Sequence, residues 1–386
     1  MNILILNNEY PPLGGGAGVI SRYQAEGLAK LGHKVTVVTA WIEGEAERLE
    51  TENLTVIKLK SKRKVVYESN PVEMLSWMFK AMSFLKQYCQ EHSFDVSIAH
   101  YLLPAGNVSW YLKRKFNIPY TVVSHGHDVP FAFPKQMLKF HALTYFWLKQ
   151  ILKNATTFFV QSQEMKDRSD KFIGEKLASK NYRVPNGCNS DYFQPNYAIK
   201  SKKFKIVWVG RLVDQKDPFT FLKAIKIFSA KGIEFTVHIL GDGPLRKKME
   251  AFIQQNDLDK WVKMKGWVSK TEILEEYQSA NLQVISSLFE GMSIAALESL
   301  SAGLYVLTTP VSGNPDVVVE GENGGFFDYG DVEGLAERLE DYYKNKFLKG
   351  HLPNQEKVNG FRKEYKWDNI VALYNQALKN LLQKNN

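Results

Sequence analysis

The chain has 386 residues, 44% of them hydrophobic and 24% charged, which is typical of a folded globular protein. Its length favours two or three domains, and the lack of any apolar run of about 18 residues argues against a membrane-spanning helix. Two cysteines, Cys89 and Cys188, argue against a disulfide framework or a zinc site and fit a reducing, intracellular compartment. The net charge of +9 favours an anionic partner such as nucleic acid, phospholipid or a phosphorylated substrate.

Short apolar runs alternate with helical patterns in the first half of the chain. The run Asn2–Leu6 lacks the basic flank and cleavage site of a signal peptide and predicts a strand. A helix is predicted at Val19–Leu31, and further strands at Lys34–Thr39, Leu54–Leu59, Val96–Ala99, Tyr120–Ser124 and Thr157–Gln161. Strands that alternate with helices indicate a parallel, doubly wound sheet.

The same alternation restarts in the second half. The predicted strands are Lys205–Gly210, Phe235–Leu240, Trp261–Lys265, Leu282–Ile285 and Leu304–Thr308, and the predicted helices are Pro218–Ala230, Leu245–Gln255 and Lys270–Ser279. The fold class is therefore α/β, with two Rossmann-like domains.

Turn-forming residues from Val184 to Pro195 indicate the connection between the domains. The first domain is predicted at 1–195 and the second at 196–367. A last helix, Asn369–Leu382, lies in the remaining segment of about 368–386.

A glycine-rich segment, Pro11–Gly18, follows the first predicted strand. A dinucleotide-binding turn requires the spacing G-x-G-x-x-G, which fails here because Val19 and Ser21 stand where the last glycine is needed. Two interpretations stay open. The segment is either a loop whose amides approach a phosphate or a sugar, or a plain surface turn.

Two cations follow the strand that ends at Gly210, where open α/β sheets bind ligands. Arg211 offers a bidentate grip on phosphate, and Lys216 adds a point charge. The alternative is that both are solvated surface residues.

A histidine-rich turn, Ser124-His125-Gly-His127-Asp128, ends another predicted strand. His125 is a candidate for acid–base chemistry or for a hydrogen bond to a sugar, and the alternative is a loop histidine satisfied by its neighbours. The spacing of His125, His127 and Asp128 gives little support to a metal site.

The most informative segment runs Glu290-Gly-Met-Ser-Ile-Ala-Ala-Leu-Glu298, between a predicted strand and a helix. N–H groups at the start of a helix favour an anion such as a diphosphate, and small residues let it come close. The carboxylates of Glu290 and Glu298 would then accept hydrogen bonds from sugar hydroxyls. Alternatively, Glu290 is a solvated loop residue and Glu298 an ordinary helix residue.

Basic residues interleave with aromatic ones between Val129 and Gln163, where there is no acidic residue. Such a stretch suits an anionic membrane surface, and a buried helix with solvated lysines is the alternative. Nucleic acid is possible on charge alone, but no recognition motif is present, so no nucleic-acid partner is expected.

Together these motifs resemble the GT4-type retaining glycosyltransferases (glycosyl transferases group 1), which have the two-domain GT-B fold. The matching segments occur in family order: Gly14–Gly16, Ser124–Asp128, Val184–Gly187, Gly210-Arg211-Leu with Lys216, Gly241–Pro244, Glu290–Glu298, Ser301–Gly303, Asn323–Gly325 and Trp367-Asp368. The family's last helix returns to the first domain, and Trp367-Asp368 is similar to its start.

The resemblance implies retaining sugar transfer from a nucleotide-sugar in a cleft between the domains, without a metal ion or other cofactor. It implies catalytic roles for His125, Arg211, Lys216 and Glu290. The donor-binding residues that it implies are Gly15, Gly16, Gly210, Arg211, Lys216, Glu290, Gly291, Met292, Ser293, Ile294, Ala295 and Glu298. Gly15 and Gly16 would close over the phosphates, and Glu298 would bind the ribose. The catalytic candidate His125 would face the donor sugar from the first domain.

The chain departs from the family pattern at two loops. Asp217 stands where glycine commonly follows the lysine, and Ser312-Gly-Asn-Pro-Asp316 replaces the commoner Gly-Gly-x-Pro-Glu. Both changes bear on the identity of the donor more than on activity.

We expect a cytoplasmic hexosyl- or N-acetylhexosaminyltransferase, peripheral on the inner face of the cell membrane. Its acceptor would be a saccharide or a lipid-linked saccharide of envelope polysaccharide or glycolipid assembly. The alternatives are a sugar-nucleotide epimerase of the same fold and a non-catalytic protein that binds a nucleotide-sugar.

Overall fold

A computed structural model describes residues 1–66, 69–126, 128–130 and 138–383 of the protein. His127 and Lys135, which belong to the segments singled out above, lie outside these ranges. The chain forms two compact units, Met1–Asn186 with Trp367–Asn386, and Gly187–Lys366. The boundary expected after residue 195 differs from the observed one, because Cys188 pairs with Lys366 and Phe193 packs in an apolar cluster of the second unit.

The described residues of the first unit form a sheet of eight strands: β1 Asn2–Leu6, β2 Lys34–Ala40, β3 Arg48–Glu50, β4 Leu54–Leu59, β5 Val96–His100, β6 Tyr120–Val123, β7 Thr157–Val160 and β8 Asn181–Arg183. Their spatial order is β3-β4-β2-β1-β5-β6-β7-β8, and all pairs are parallel except β3 with β4. Chain order reverses between β1 and β5, which makes this point of the sheet a ligand-binding position in doubly wound folds.

The helices of this unit are α1 Gly16–Lys30, α2 Pro71–Glu91, α3 Asn107–Phe116, α4 Leu138–Asn154, α5 Gln163–Ile173 and α6 Glu175–Ala178. Helix α1 begins three residues before the predicted Val19, since Gly15 occupies the N-cap position. Helices α2, α3 and α4 contact one another in sequence and cover the apolar cluster beneath them.

The second unit has six parallel strands: β9 Phe204–Val209, β10 Phe235–Leu240, β11 Val262–Gly266, β12 Leu282–Ile285, β13 Tyr305–Thr308 and β14 Gly324–Phe326. Their order is β11-β10-β9-β12-β13-β14, so the switch point lies between β9 and β12. The helices are α7 Pro218–Ser229, α8 Arg246–Gln255, α9 Lys270–Ser279, α10 Ile294–Ser301, α11 Asn314–Val317, α12 Val332–Tyr342 and α13 Gln355–Glu364.

The final helix, α14 Trp367–Gln383, belongs to the first unit and packs on α1. Trp367 stacks on Tyr23 with ring centroids 5.0 Å apart, and the His33 ring bonds the Asn375 side chain at 2.8 Å. A Cβ at Gly27 would lie 2.6 Å from a methyl carbon of Val371, so glycine permits this close approach. Apart from the antiparallel edge strand β3, the strands of both sheets are parallel, and the predicted α/β class with two Rossmann-like domains is confirmed.

Candidate active site

The loop after β9 carries the first group of predicted site residues. The Gly210 N–H donates to the Leu240 carbonyl at 3.0 Å, and the Leu212 N–H donates to the Asp242 carbonyl at 3.0 Å. A Cβ at Gly241 would lie 1.9 Å from the Gly210 carbonyl oxygen, and Gly241 has a φ of +132°. Only glycine allows this contact, which fixes the loop and presents the half-buried Arg211 at the carboxyl edge of the sheet.

Lys216 and Glu290 meet across the switch point. Lys216 closes a short 3-10 turn, Asp214–Lys216, and its Nζ lies 2.5 Å from Oε1 of Glu290. Ser287 Oγ donates to the same carboxylate oxygen at 2.7 Å, and the Glu290 side chain is only 8% exposed. Glu290 is therefore a buried, paired carboxylate and not a solvated loop residue.

Ser286 ties the two loops together. Its Oγ donates to the carbonyls of Lys216 at 2.9 Å and Asp217 at 2.8 Å, and it accepts from Nε1 of Trp208 at 3.2 Å. Sequence reasoning missed the roles of Ser286 and Ser287. Their signal was two consecutive serines directly after an apolar strand.

Helix α10 begins beside Glu290. Ser293 caps it by accepting from the Ala296 N–H at 3.4 Å. Ile294 and Ala295 occupy the first turn, where the helix itself supplies no acceptor for their N–H groups. These amides, together with the positive end of the helix, suit an anion.

Gly291 and Met292 precede this cap, and their backbone, more than their side chains, is available to the candidate donor site. The Met292 side chain is buried in an apolar cluster, and a Cβ at Gly313 would come within 2.8 Å of the Gly291 carbonyl. The prediction that Met292 binds the donor therefore concerns its main chain.

Glu298 lies in the second turn of α10, in different surroundings from Glu290. Burial raises the pKa of its carboxyl to about 8, with Lys270 opposing that shift. The Glu298 charge in turn adds to the burial that raises the pKa of Tyr277. The structure thus pairs the buried Glu290 with Lys216 and places the half-buried Glu298 within electrostatic reach of Lys270, at the start of α9.

The two departures from the family pattern have local explanations. Asp217 adopts a left-handed conformation with φ +41°, which glycine adopts without strain, and its carboxylate caps α7 through the Thr220 N–H at 3.2 Å and the Thr220 Oγ1 at 2.6 Å. Ser312 also has a positive φ, +48°, where the commoner pattern has glycine.

In the first unit, a buried carboxylate shapes the turn that holds His125. Asp128 accepts hydrogen bonds from Ser124 Oγ at 2.6 Å, the His125 N–H at 3.2 Å and the Leu102 N–H at 2.9 Å. Burial raises the pKa of Asp128, and these donors oppose that shift. The backbone of His125 is therefore fixed at the carboxyl end of β6.

The ring of His125 is held by a second histidine. His100 ends β5 and is completely buried, and its Nδ1 lies 3.0 Å from Nε2 of His125. On its other side, His100 Nε2 lies 2.9 Å from Oε1 of Gln24 in α1. Sequence reasoning missed His100 and Gln24, although a histidine that ends an apolar strand was a visible signal.

Gly15 and Gly16 lie at the start of α1, on the loop that follows β1. Gly15 is the N-cap residue and Gly16 is the first helical residue. Ahead of them, Gly14 has a φ of +86° and donates its N–H to the Val66 carbonyl at 2.7 Å. The glycines thus open a helix and are not a simple surface turn.

Among the residues that the structure describes, no group of three or more His, Cys, Asp or Glu side chains is arranged to hold a metal ion. No helix within the described ranges is long and apolar enough to cross a membrane.

Comparison with known proteins gives the family. The model of glycosyltransferase family 4 matches residues 14–192, and the model of glycosyl transferases group 1 matches residues 189–363. The chain is a GT4-type glycosyltransferase of the GT-B fold. The family predicted from the sequence motifs is therefore confirmed.

Several glycosyltransferases are similar to this chain over much of their own length. An uncharacterised glycosyltransferase of Methanocaldococcus jannaschii is 26% identical over 77% of this chain and 78% of its own. The Escherichia coli UDP-Gal:alpha-D-GlcNAc-diphosphoundecaprenol alpha-1,3-galactosyltransferase is 26% identical over 63% of this chain and 66% of its own. Sucrose-phosphate synthase of Thermosynechococcus elongatus superposes with a TM-score of 0.86 at 18% identity, covering 100% of both chains, and shares the fold.

Proposed function

We propose that the protein is a retaining hexosyl- or N-acetylhexosaminyltransferase that uses a nucleoside-diphosphate sugar. Its acceptor would be a saccharide or a lipid-linked saccharide in envelope polysaccharide or glycolipid assembly. The observation that carries the donor part is the Lys216–Glu290 contact beside the start of α10, at the switch point of the second sheet. Retention is supported by the family resemblance, and a lipid-linked acceptor by the name of the Escherichia coli relative.

In this proposal the second unit binds the diphosphate. Arg211, Lys216 and the amides from Ser293 to Ala295 would face its oxygens. Negative charge grows on the leaving diphosphate as the bond to the sugar breaks. Fixed cations and oriented N–H groups then stabilise the transition state more than the bound donor, which is the condition for faster turnover.

The two glutamates would bind opposite parts of the donor. Glu290, oriented by Ser287 and Lys216, would accept hydrogen bonds from hydroxyls of the sugar. Glu298 would bind the ribose hydroxyls. Burial raises the pKa of this carboxyl, so hydrogen bonds from ribose hydroxyls would stabilise its charged form.

The first unit would contribute His125 to sugar transfer, and Gly15 and Gly16 to the phosphates. Transfer without a metal ion is part of the proposal and rests on the family resemblance. Addition of EDTA is expected to leave turnover unchanged, and a loss that Mg²⁺ or Mn²⁺ restores would contradict this part.

The donor site is tested by assaying transfer with Glu290→Gln and Lys216→Ala. Each is expected to lower kcat by about 10²–10³-fold, as the loss of one transition-state contact usually does. The matched controls are Glu275→Gln and Lys223→Ala, which change exposed residues of the same charge in α9 and α7. Equal loss in a site variant and its control would overturn the assignment.

The same assay separates the alternatives. An epimerase would convert the donor sugar without any acceptor, and a binding protein would bind the nucleotide-sugar with no turnover. Either outcome in a screen of UDP-, GDP- and ADP-sugars against lipid-linked and soluble acceptors would replace the proposal of transfer.

We further propose that α4 lies on an anionic membrane at the cytoplasmic face of the cell membrane. Its sequence has no acidic residue, and it exposes Leu143 by 89% and Phe146 by 80% beside Lys139 and Lys149. In the same helical layer, α2 exposes Phe79 by 63%. Apolar side chains among lysines match an interface of acyl chains and anionic headgroups.

Sedimentation with liposomes tests the membrane part. The double variant Leu143→Glu/Phe146→Glu is expected to lower partition into anionic vesicles by at least about tenfold, since burial of one such side chain contributes about 1.5–3 kcal/mol. Leu373→Glu, which changes an exposed leucine on α14, is the control. Equal partition of the wild type into anionic and zwitterionic vesicles at low salt would contradict the proposal.

A further inference from the structure

Helix α1 and strand β5 meet behind His125 in a buried line of polar side chains, whose members are Gln24, His100 and His125. Gln24 and His100 are both 0% exposed, so neither reaches a substrate directly. Their hydrogen bonds are 2.9 Å between Gln24 and His100, and 3.0 Å between the two rings. The ring planes differ by 13° and the ring centroids are 5.2 Å apart, a separation that fits an edge-to-edge hydrogen bond close to the ring planes.

The Gln24 amide turns Oε1, and not Nε2, toward His100, and this orientation sets the direction of both hydrogen bonds. Oε1 of Gln24 only accepts, so Nε2 of His100 carries a proton and donates to it. A neutral His100 then has its lone pair on Nδ1, and that atom accepts from Nε2–H of His125. His100 stays neutral because burial lowers its pKa to about 3.

We infer that His100 and Gln24 are positioning residues, which hold His125 in the Nε2–H tautomer with its Nδ1 as the hydrogen-bond acceptor of the ring. The inference rests on the proposed role of His125 in sugar transfer. The arrangement holds the His125 ring in the same orientation in its neutral and its protonated state. When Nδ1 takes a proton, Nε2–H still donates to His100, so the ring keeps its orientation and the imidazolium keeps a partner.

Backbone hydrogen bonds alone do not fix the orientation or the tautomer of the His125 ring. Asp128 fixes the His125 N–H at 3.2 Å, and this bond sets where the side chain begins. It leaves rotation about the side-chain bonds and the choice of tautomer open. The hydrogen bond from the ring to His100 sets the tautomer, as the third member of a catalytic triad does for its histidine. It also constrains the ring orientation, together with the Tyr101 ring, whose centroid lies 4.7 Å from that of His125.

Two substitutions at His100 separate positioning from general stability. His100→Asn keeps an acceptor near the place of Nδ1, and His100→Leu keeps bulk without an acceptor. We expect His100→Leu to lower kcat by about 10–100-fold, the usual cost of losing a group that orients a catalytic side chain, with a smaller change in KM for the donor. His100→Asn should recover at least tenfold of that loss. Equal kcat in the two variants would overturn the inference.

The tautomer can be read directly in the wild-type protein by ¹⁵N–¹H correlation of histidine rings. The expected spectrum shows the His125 proton on Nε2 and the His100 proton on Nε2, with His125→Gln used to assign the signals. A proton on Nδ1 of His125 would overturn the inference whether or not the variants fold. Activity retained in His125→Gln would instead contradict the proposed role of His125, so the two failures are distinguishable.

Discussion

The carboxyl edges of the two sheets hold their polar groups in opposite ways. The second sheet sets an ion pair, Lys216 with Glu290, at its switch point. The first sheet sets a line of neutral side chains behind His125. A charged edge can exchange one ionic partner for another, as the arrival of a diphosphate requires. A neutral edge cannot do this, but it keeps one ring in a single orientation.

The largest change in the free energy of unfolding should come from removing only one partner of the Lys216–Glu290 ion pair. Lys216→Met leaves the Glu290 carboxylate buried without its cation and is expected to destabilise the protein by about 2–4 kcal/mol. Adding Glu290→Gln removes the stranded charge, so the double variant should return to within about 1 kcal/mol of the wild type while turnover stays lost. Calorimetric unfolding with parallel assays measures both quantities. A single variant as stable as the wild type would show that the pair does not form in solution.

The turn that holds His125 at the edge of the first sheet should respond more weakly. Ser124→Ala removes the hydroxyl that donates to Asp128 at 2.6 Å and accepts the Gly126 N–H at 3.1 Å. One lost donor to a buried carboxyl is expected to cost about 1–3 kcal/mol. Urea unfolding against Ser83→Ala, an exposed serine of α2, measures the difference. No difference between the two variants would mean that this turn is not held by Asp128.

Glu298 offers a test by pH. Its pKa in the folded protein is about 8, above the ordinary value of 4.5, so the native state holds this proton more tightly than the unfolded chain does. The stability of the wild type should therefore fall as pH rises from about 4.5 to about 8. Glu298→Gln lacks this titration, so its Tm relative to the wild type should rise by a few degrees over that window. Parallel Tm curves would show that the carboxyl titrates normally.

The smallest effect concerns Asp217. Asp217→Gly relieves the positive φ but loses the cap on α7, so the two changes should nearly cancel, within about 1 kcal/mol. Asp217→Ala loses the cap and keeps the strained backbone, and should be less stable than Asp217→Gly by about 1 kcal/mol. Thermal unfolding of the pair tests this ranking, and the reverse order would contradict the capping role.

Much of the fold could be predicted from periodicity alone. Strands such as Leu54–Leu59 and Phe235–Leu240 agree with the prediction residue by residue, because their apolar runs are bounded by turn formers. Strand β14 was missed because Gly324 and Gly325 have no strand propensity. That strand depends on a close approach, since a Cβ at Gly324 would lie 2.4 Å from the Val306 carbonyl.

Sequence reasoning identified candidate site residues but not their contacts. Lys216 and Glu290 are 74 positions apart, and their meeting depends on which strands are neighbours in the sheet. The contrast between Glu290 and Glu298 was also hidden, because it depends on surroundings that the sequence does not show: Lys216 contacts Glu290, and burial raises the pKa of Glu298. His100, which directly follows the predicted strand Val96–Ala99, was not singled out, because its role depends on Gln24 from another element.

The most direct test of the account is calorimetric titration of UDP, GDP and ADP into the wild type, Lys216→Ala and Lys223→Ala. One diphosphate should bind the wild type and Lys223→Ala with equal affinity, and should bind Lys216→Ala at least about tenfold more weakly. This difference in affinity should become smaller at high salt. Equal affinity for the wild type and Lys216→Ala would contradict the claim that the charged edge of the second sheet binds the donor diphosphate.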